Sequence, residues 1–177
     1  MKKGVAQDAT FITADPDSSS KPRGEDAMTR RSRDGDWAKR KGGSVFGYKL
    51  HVKSDLDHGL VRELETMPAS VHDSRVDLSK PGEVVYGDKG YFGVKPRGYG
   101  ATMRRGVRSH PAGIRDRMRN GRISRRRAPI ERTFSILKRV FNASHILVTV
   151  VSRVRVKMVF ACVSFNLHRM STLARAR

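Results

Sequence analysis

The sequence predicts a mixed α/β domain: a sheet containing an antiparallel hairpin, flanked by helices. Three observations predict it. Residues 45–54, VFGYKLHVKS, are rich in β-branched and aromatic side chains and alternate in character, and a second strand over Leu60–Met67 follows after the short turn Asp55–Gly59. A compact apolar run, Val84–Tyr86, stops at Gly87-Asp88, as a buried strand does when it meets a turn. Beyond residue 125 the apolar period becomes helical, with Ile130, Phe134, Leu137 and Phe141 spaced four, three and four apart.

In chain order, Val5–Ile12 has strand composition and carries Asp8, with the polar Gln7 beside it. Residues 15–43 read as a basic polar loop. Asp15–Asp36 contains three consecutive serines, two prolines and two glycines, too little apolar surface to order itself, and Trp37–Gly43 continues as a basic linker. Within it Lys21, Arg23, Arg30, Arg31 and Arg33 are candidate phosphate contacts. The hairpin follows, with Asp55 and Asp57 as its turn residues. His72-Asp73 is expected to open a helix of at most about two turns before Pro81-Gly82 ends it. The strand 84–86 leads into Gly-Asp-Lys-Gly, which is also good β-turn sequence. Arg97–Met103 holds the last strand, centred on Tyr99–Met103.

Residues 104–127 form an Arg-rich arm, flexible or partly helical, suited to phosphate. The following helix, Arg125–Asn142, is expected to carry Pro129 in its first turn, where a missing N–H is harmless. On it, Glu131 and Lys138 lie within roughly 20° of each other at the flank of the apolar stripe. Val148–Leu173 is broadly helical and amphipathic, its β-branched start ambiguous between strand and helix.

The chain has 177 residues, enough for a single domain, with 37 Lys and Arg against 17 Asp and Glu, a net charge of +20. Such an excess opposes compactness unless a polyanion neutralises it, which makes nucleic acid the leading partner. The charge runs from Lys2 to Arg177 and is not one basic tail. One cysteine, Cys162, excludes an intrachain disulfide and a cysteine zinc finger and fits a reducing cytoplasm. No apolar segment follows Lys2 and Lys3 as in a signal peptide, and the longest apolar run, Met158–Phe165, is too short to span a bilayer.

Arg127, Glu131 and Lys138 form R-x3-E-x6-K, Asp88 lies in D-K-G-Y-F, and Asp8 sits in the first strand. With G-Y-K-L-H-V, D-H-G-L and V-H-D-S between them, these motifs resemble the DDE transposases of bacterial insertion sequences, in the IS4/IS5 group and of IS5 type. The resemblance runs from Asp8 to about Leu173. Two positions depart from the pattern: Ser124 stands where the signature opens with Tyr, and Gln7 where an apolar residue is usual. The family carries a helical, DNA-binding N-terminal region before its first strand. Only seven residues precede Asp8 here, so the expectation is a catalytic part without that region.

The resemblance implies an RNase H-like fold, matching the order strand, hairpin, short helix, strand, strand, long helices. It implies Asp8, Asp88 and Glu131 as catalytic and metal-binding carboxylates, with Asp55 and Asp57 as rivals to Asp8. Arg127, Lys138, Lys89 and Arg132 become DNA contacts, Arg127 holding a terminal phosphate. The cofactor it implies is Mg²⁺, with Mn²⁺ as substitute, in a two-metal site. Phosphodiester transfer needs an attacking oxygen activated and a leaving oxygen stabilised, and hard carboxylate oxygens hold the ions that do this.

The function implied is DNA strand cleavage and strand transfer at element ends, in a bacterial cytoplasm, at the nucleoid. The partners are double-stranded DNA (terminal inverted repeats and target) and a second copy in a homodimer, with no membrane. Three alternatives stay open: a degenerate remnant that binds nucleic acid by charge alone, an RNase H-like nuclease, and a basic RNA-associated protein.

Overall fold

The computed structural model describes residues 4–17, 33–40, 42–148 and 150–176. Lys21, Arg23, Arg30 and Arg31 lie outside the described residues. Among the described residues seven strands form one mixed sheet: β1 (Val5–Ala14), β2 (Asp36–Arg40), β3 (Gly43–Asp55), β4 (Val61–Pro68), β5 (Val84–Gly87), β6 (Tyr99–Thr102) and β7 (His145–Ile146). Two long helices complete it, α1 (Ile114–Arg139) and α2 (Val151–Arg175). The strand order is β2-β3-β1-β5-β6, with β4 also paired to β3 and β7 to β1. β1, β3 and β4 run antiparallel, whereas β5 and β6 run parallel to β1. A three-stranded antiparallel meander extended by parallel strands on the far side of β1 is the RNase H-like arrangement.

Side chains alternate across a strand, and here each face meets a different cover. Ala6, Ile12, Tyr48, Leu50 and Val52 face the helices, packing with Ile130, Phe134 and Leu137 of α1 and Val154, Met158 and Phe165 of α2. Gln7, Lys49, His51 and Lys53 face the segment between β4 and β6. There Lys49 Nζ donates to the Val71 carbonyl at 2.8 Å, and Lys53, 1% exposed, is paired with Glu63 and Glu83. Gly47 interrupts β3 at φ +143°, where a Cβ would collide with the Ile12 carbonyl of β1. α2 is apolar on both sides: opposite its buried line, Val156, Val159, Phe160, Val163, Leu167 and Met170 face solvent.

Three side-chain amides fasten the covers to the sheet. Gln7 donates to the Val76 carbonyl at 2.6 Å and accepts from the Leu78 N–H at 3.0 Å. Asn120 of α1 bridges the N–H and carbonyl of Arg104 just after β6, and Asn166 of α2 bridges those of Val61 at the start of β4. Each amide acts as a one-residue extension of a β ladder, satisfying backbone groups that burial would otherwise orphan.

Several expectations are corrected. Trp37 and its neighbours are not linker: Asp36–Arg40 is a strand, because β3 supplies the ladder that this polar stretch cannot signal on its own. α1 begins at Ile114, so the second half of the Arg-rich arm is helical throughout, and Pro129 lies deep inside the helix, not in its first turn. Arginine is a good helix former, and Pro129 removes only the N–H that would serve the Arg125 carbonyl. The helix expected at His72-Asp73 is a single 3-10 turn, Asp73–Arg75. β7 adds a short strand after the one expected to be last.

Gln7→Leu is expected to lower stability by about 2–4 kcal/mol, since it leaves a buried carbonyl and N–H without partners. Urea unfolding measures this, and a loss below about 0.5 kcal/mol would show that the Gln7 clamp is dispensable.

Candidate active site

The sheet register brings two acidic residues level. Parallel β1 and β5 pair Val5 with Val85 and Ala6 with Tyr86, and the same offset carried on sets Asp8 beside Asp88. Residues level in parallel neighbours point to one face. β5 ends at Gly87 while β1 continues to Ala14, so Asp8 lies within its strand and Asp88 just past the end of its own. Asp88 leaves at the carboxyl edge of β5, where open α/β sheets bind ligands.

Asp88 is held by the turn that follows it. Its Oδ1 accepts from the Gly90 N–H at 2.6 Å and caps a 3-10 turn over Lys89–Tyr91. Gly90 leaves room for both acids: a Cβ there would stand 3.0 Å from Asp88 Oδ1 and 3.2 Å from Asp73 Oδ2, so these side chains would have to shift slightly. Asp73 is thus a further carboxylate at the site, fixed by Lys49 Nζ at 2.9 Å. Beneath them Tyr91 is buried with its hydroxyl 3.3 Å from His51 Nδ1. Sequence reasoning missed Asp73, Lys49, His51 and Tyr91 as site residues. All four lie in the motifs quoted above: Lys49 and His51 in G-Y-K-L-H-V, Asp73 in V-H-D-S and Tyr91 in D-K-G-Y.

α1 presents its own line to the sheet. Asn120, Ile123, Ile130, Phe134 and Leu137 are its inward residues, and Arg127 falls on the same line between Ile123 and Ile130. Its side chain is only 12% exposed. Arg127 Nη1 donates to Asp8 Oδ2 at 2.6 Å, Nη2 lies 3.9 Å from Glu131 Oε1, and the buried Nε has no hydrogen-bond partner. Glu131, one position round the helix, is 71% exposed.

Of the three predicted carboxylates, the structure brings Asp8 and Asp88 together and reaches Glu131 only through Arg127. Lys89 is exposed beside Asp88. Lys138 is half-buried two turns beyond Glu131, its amine pulled below the usual lysine range by burial first and by Arg40 second. Arg132 lines a groove with Phe165, His168 and Arg169 between α1 and α2, on a different side of α1 from Arg127. Asp55, one rival to Asp8, accepts from the His58 N–H and from Arg62, as a turn residue does.

Burial first, with Asp88 and Asp73 adding to it, raises the Asp8 carboxyl to about 6 even though Arg127 and the Ala9 N–H pull it down. The direct guanidinium contact keeps it ionised near neutral pH. Oxygen donors of this kind suit Mg²⁺. As placed, however, no group of three acidic, His or Cys side chains among the described residues could hold a metal ion. Asp8 spends its charge on Arg127, and Glu131 stands outside.

Strand order and level carboxylates on adjacent central strands define an RNase H-like domain with an acidic site at the sheet's carboxyl edge. The chain belongs to the transposase DDE domain family, whose model matches residues 1–167. It is similar to the transposase for insertion sequence element IS1106 of Neisseria meningitidis serogroup B, 28% identical over a 123-residue alignment that covers 63% of this chain and 42% of that protein. The chain therefore spans less than half the length of that relative. No solved structure matches it.

His51 supplies a pH test. Burial lowers its pKa to about 4 from 6.5, against a raising influence of Asp73 and a lowering one of Lys49. A depressed histidine contributes stability above pH 6.5 that is lost as pH falls toward 4, up to about 3 kcal/mol. The difference in urea midpoint between the wild type and His51→Gln should therefore shrink over that window. A difference that stays constant from pH 7 to pH 4 would contradict a buried neutral His51.

Proposed function

We propose that this domain performs DNA strand cleavage and strand transfer at the ends of an insertion sequence of the IS4/IS5 group, IS5 type. Asp8, Asp88 and Glu131 are its catalytic carboxylates. The observation that carries the reading is the β1–β5 register, which sets two carboxylates side by side at the ligand-binding edge of the sheet. Mg²⁺, or Mn²⁺ in its place, is the ion pair these oxygens would take, supplying activation of the attacking oxygen and stabilisation of the leaving 3′ oxygen.

The chain's own residues then have distinct tasks. Asp88 is oriented by the Gly90 N–H, and Lys49 with Asp73 braces the same turn. Arg127 is the planar fork for a terminal phosphate, which it can bind bidentately. Lys89, Lys138 and Arg132 complete the proposed DNA contacts, although Arg132 would meet DNA along the α1–α2 groove and not at the carboxylates. The exposed Arg115, Arg117, Arg122, Arg125 and Arg126 of α1 add a sequence-independent attraction to the phosphate backbone. No helix among the described residues is long and apolar enough to cross a membrane. The reading places the protein at the nucleoid in a bacterial cytoplasm.

A homodimer belongs to the same reading. The outer apolar line of α2 supports it, since six large apolar side chains there are exposed in one row among the described residues, and contiguous apolar patches mark interaction surfaces.

The second reading is a binding remnant, favoured by the outward Glu131 and the neutralised Asp8. Cleavage and joining of a duplex bearing the element's ends, in Mg²⁺, separates them. Asp88→Asn should reduce both by about a thousandfold or more while leaving salt-dependent DNA binding in place. Undiminished strand transfer by Asp88→Asn would overturn the catalytic assignment. Cleavage confined to RNA–DNA hybrids would point instead to a nuclease on the same fold.

A further inference from the structure

We propose that Arg127 is an internal counter-cation that closes the acidic site until DNA draws it away, so that divalent-metal binding and DNA binding reinforce each other. The inference rests on the reading of Asp8, Asp88 and Glu131 as metal ligands. It starts from the mismatch between their chemistry and their placement. One of the two Asp8 oxygens, Oδ2, is taken by Arg127 Nη1 at 2.6 Å, and Nη2 lies 3.9 Å from Glu131 Oε1. A guanidinium there repels any second cation and holds one carboxylate while the other faces solvent.

This pose leaves Arg127 incompletely satisfied. Its Nε is buried without an acceptor, and only one of its two terminal nitrogens makes a short contact. A phosphate offers several acceptor oxygens to the same fork and so provides a better partner than one carboxylate oxygen. Arg127 also sits among exposed cations of α1, with Arg125 and Arg126 just before it in the chain, so a phosphate backbone attracted to that helix arrives next to it. Once its guanidinium turns to phosphate, Asp8 is released beside Asp88, and Glu131 loses the cation that borders it. Coupling between two ligands is reciprocal: whatever factor DNA adds to metal affinity, metal adds to DNA affinity.

The test is Mn²⁺ binding, read by the loss of free-ion electron paramagnetic resonance signal, with and without a short DNA duplex and corrected for ions held by the duplex alone. In the wild type the duplex should tighten Mn²⁺ binding by about tenfold, within the usual range of coupling between sites. Arg127→Gln should tighten Mn²⁺ binding to the free chain by a similar factor and abolish the effect of DNA. Arg127→Lys keeps a cation in place and should bind Mn²⁺ as weakly as the wild type. Equal tightening in Arg127→Lys and Arg127→Gln would overturn the gate, since loosened packing would then account for both.

Asp88→Asn separates this inference from the reading beneath it. If Asp88→Asn abolishes Mn²⁺ binding while Arg127→Gln changes neither affinity nor coupling, the gate fails and the metal site stands. If Asp88→Asn binds Mn²⁺ like the wild type, the metal site fails and the gate with it.

Discussion

One ion pair joins the two ends of this fold. Asp8 is on the first strand and Arg127 on the first long helix, 119 residues later, and their side chains meet at 2.6 Å with little solvent around either. A charge at either position would be expensive to bury alone. Together they fix how far α1 slides over β1, because Arg127 shares its inward line with Ile123 and Ile130 and cannot reach Asp8 from another turn. The position of Glu131 follows as a consequence: a helix that points residue 127 at the sheet turns residue 131 to its shoulder.

The same principle recurs in the uncharged parts of the molecule. Gln7, Asn120 and Asn166 each offer a donor and an acceptor to a neighbouring stretch of backbone, and each joins a covering segment to a strand or to the residue just beyond one. A chain with 31% charged residues and only 7% aromatic ones has modest apolar surface to spend on docking its layers. Directed hydrogen bonds at three seams supply the register that apolar packing alone leaves loose. The outcome is a sheet with two unlike faces, apolar toward the helices and polar toward the 69–98 segment, where His51 and Lys53 are buried and Lys49 is partly so.

Much of this was legible in the sequence, and the reasons for the gaps are physical. Residues 45–54 and 84–86 declare themselves by composition and period, and so does the inward line of α1 from Ile130 to Leu137. β2 could not be read, since Asp-Trp-Ala-Lys-Arg is a strand only because β3 offers it a ladder. The start of α1 was misplaced because Pro129 resembles a helix start, while the arginines before it hide an inward line of Asn120, Ile123 and Arg127. Gln7 looked like a departure from pattern and is a clamp whose partners lie about 70 residues away. Asp8 and Asp88 were identified by motif, and the β1–β5 register puts them level. Asp73 was seen as the opening of a helix, since nothing local announces that Gly90 will bring it next to Asp88.

The central claim is that positions 8 and 88 meet and, with DNA bound, share a divalent ion. Paramagnetic broadening of backbone amides by Mn²⁺, in isotope-labelled protein with a DNA duplex present, tests that most directly. The account predicts that the earliest and strongest loss of signal falls together on the amides around Asp8 and Asp88, and that Asp88→Asn removes it from both. Broadening scattered over exposed acidic residues such as Glu131 and Asp116, with residues 8 and 88 spared, would contradict it.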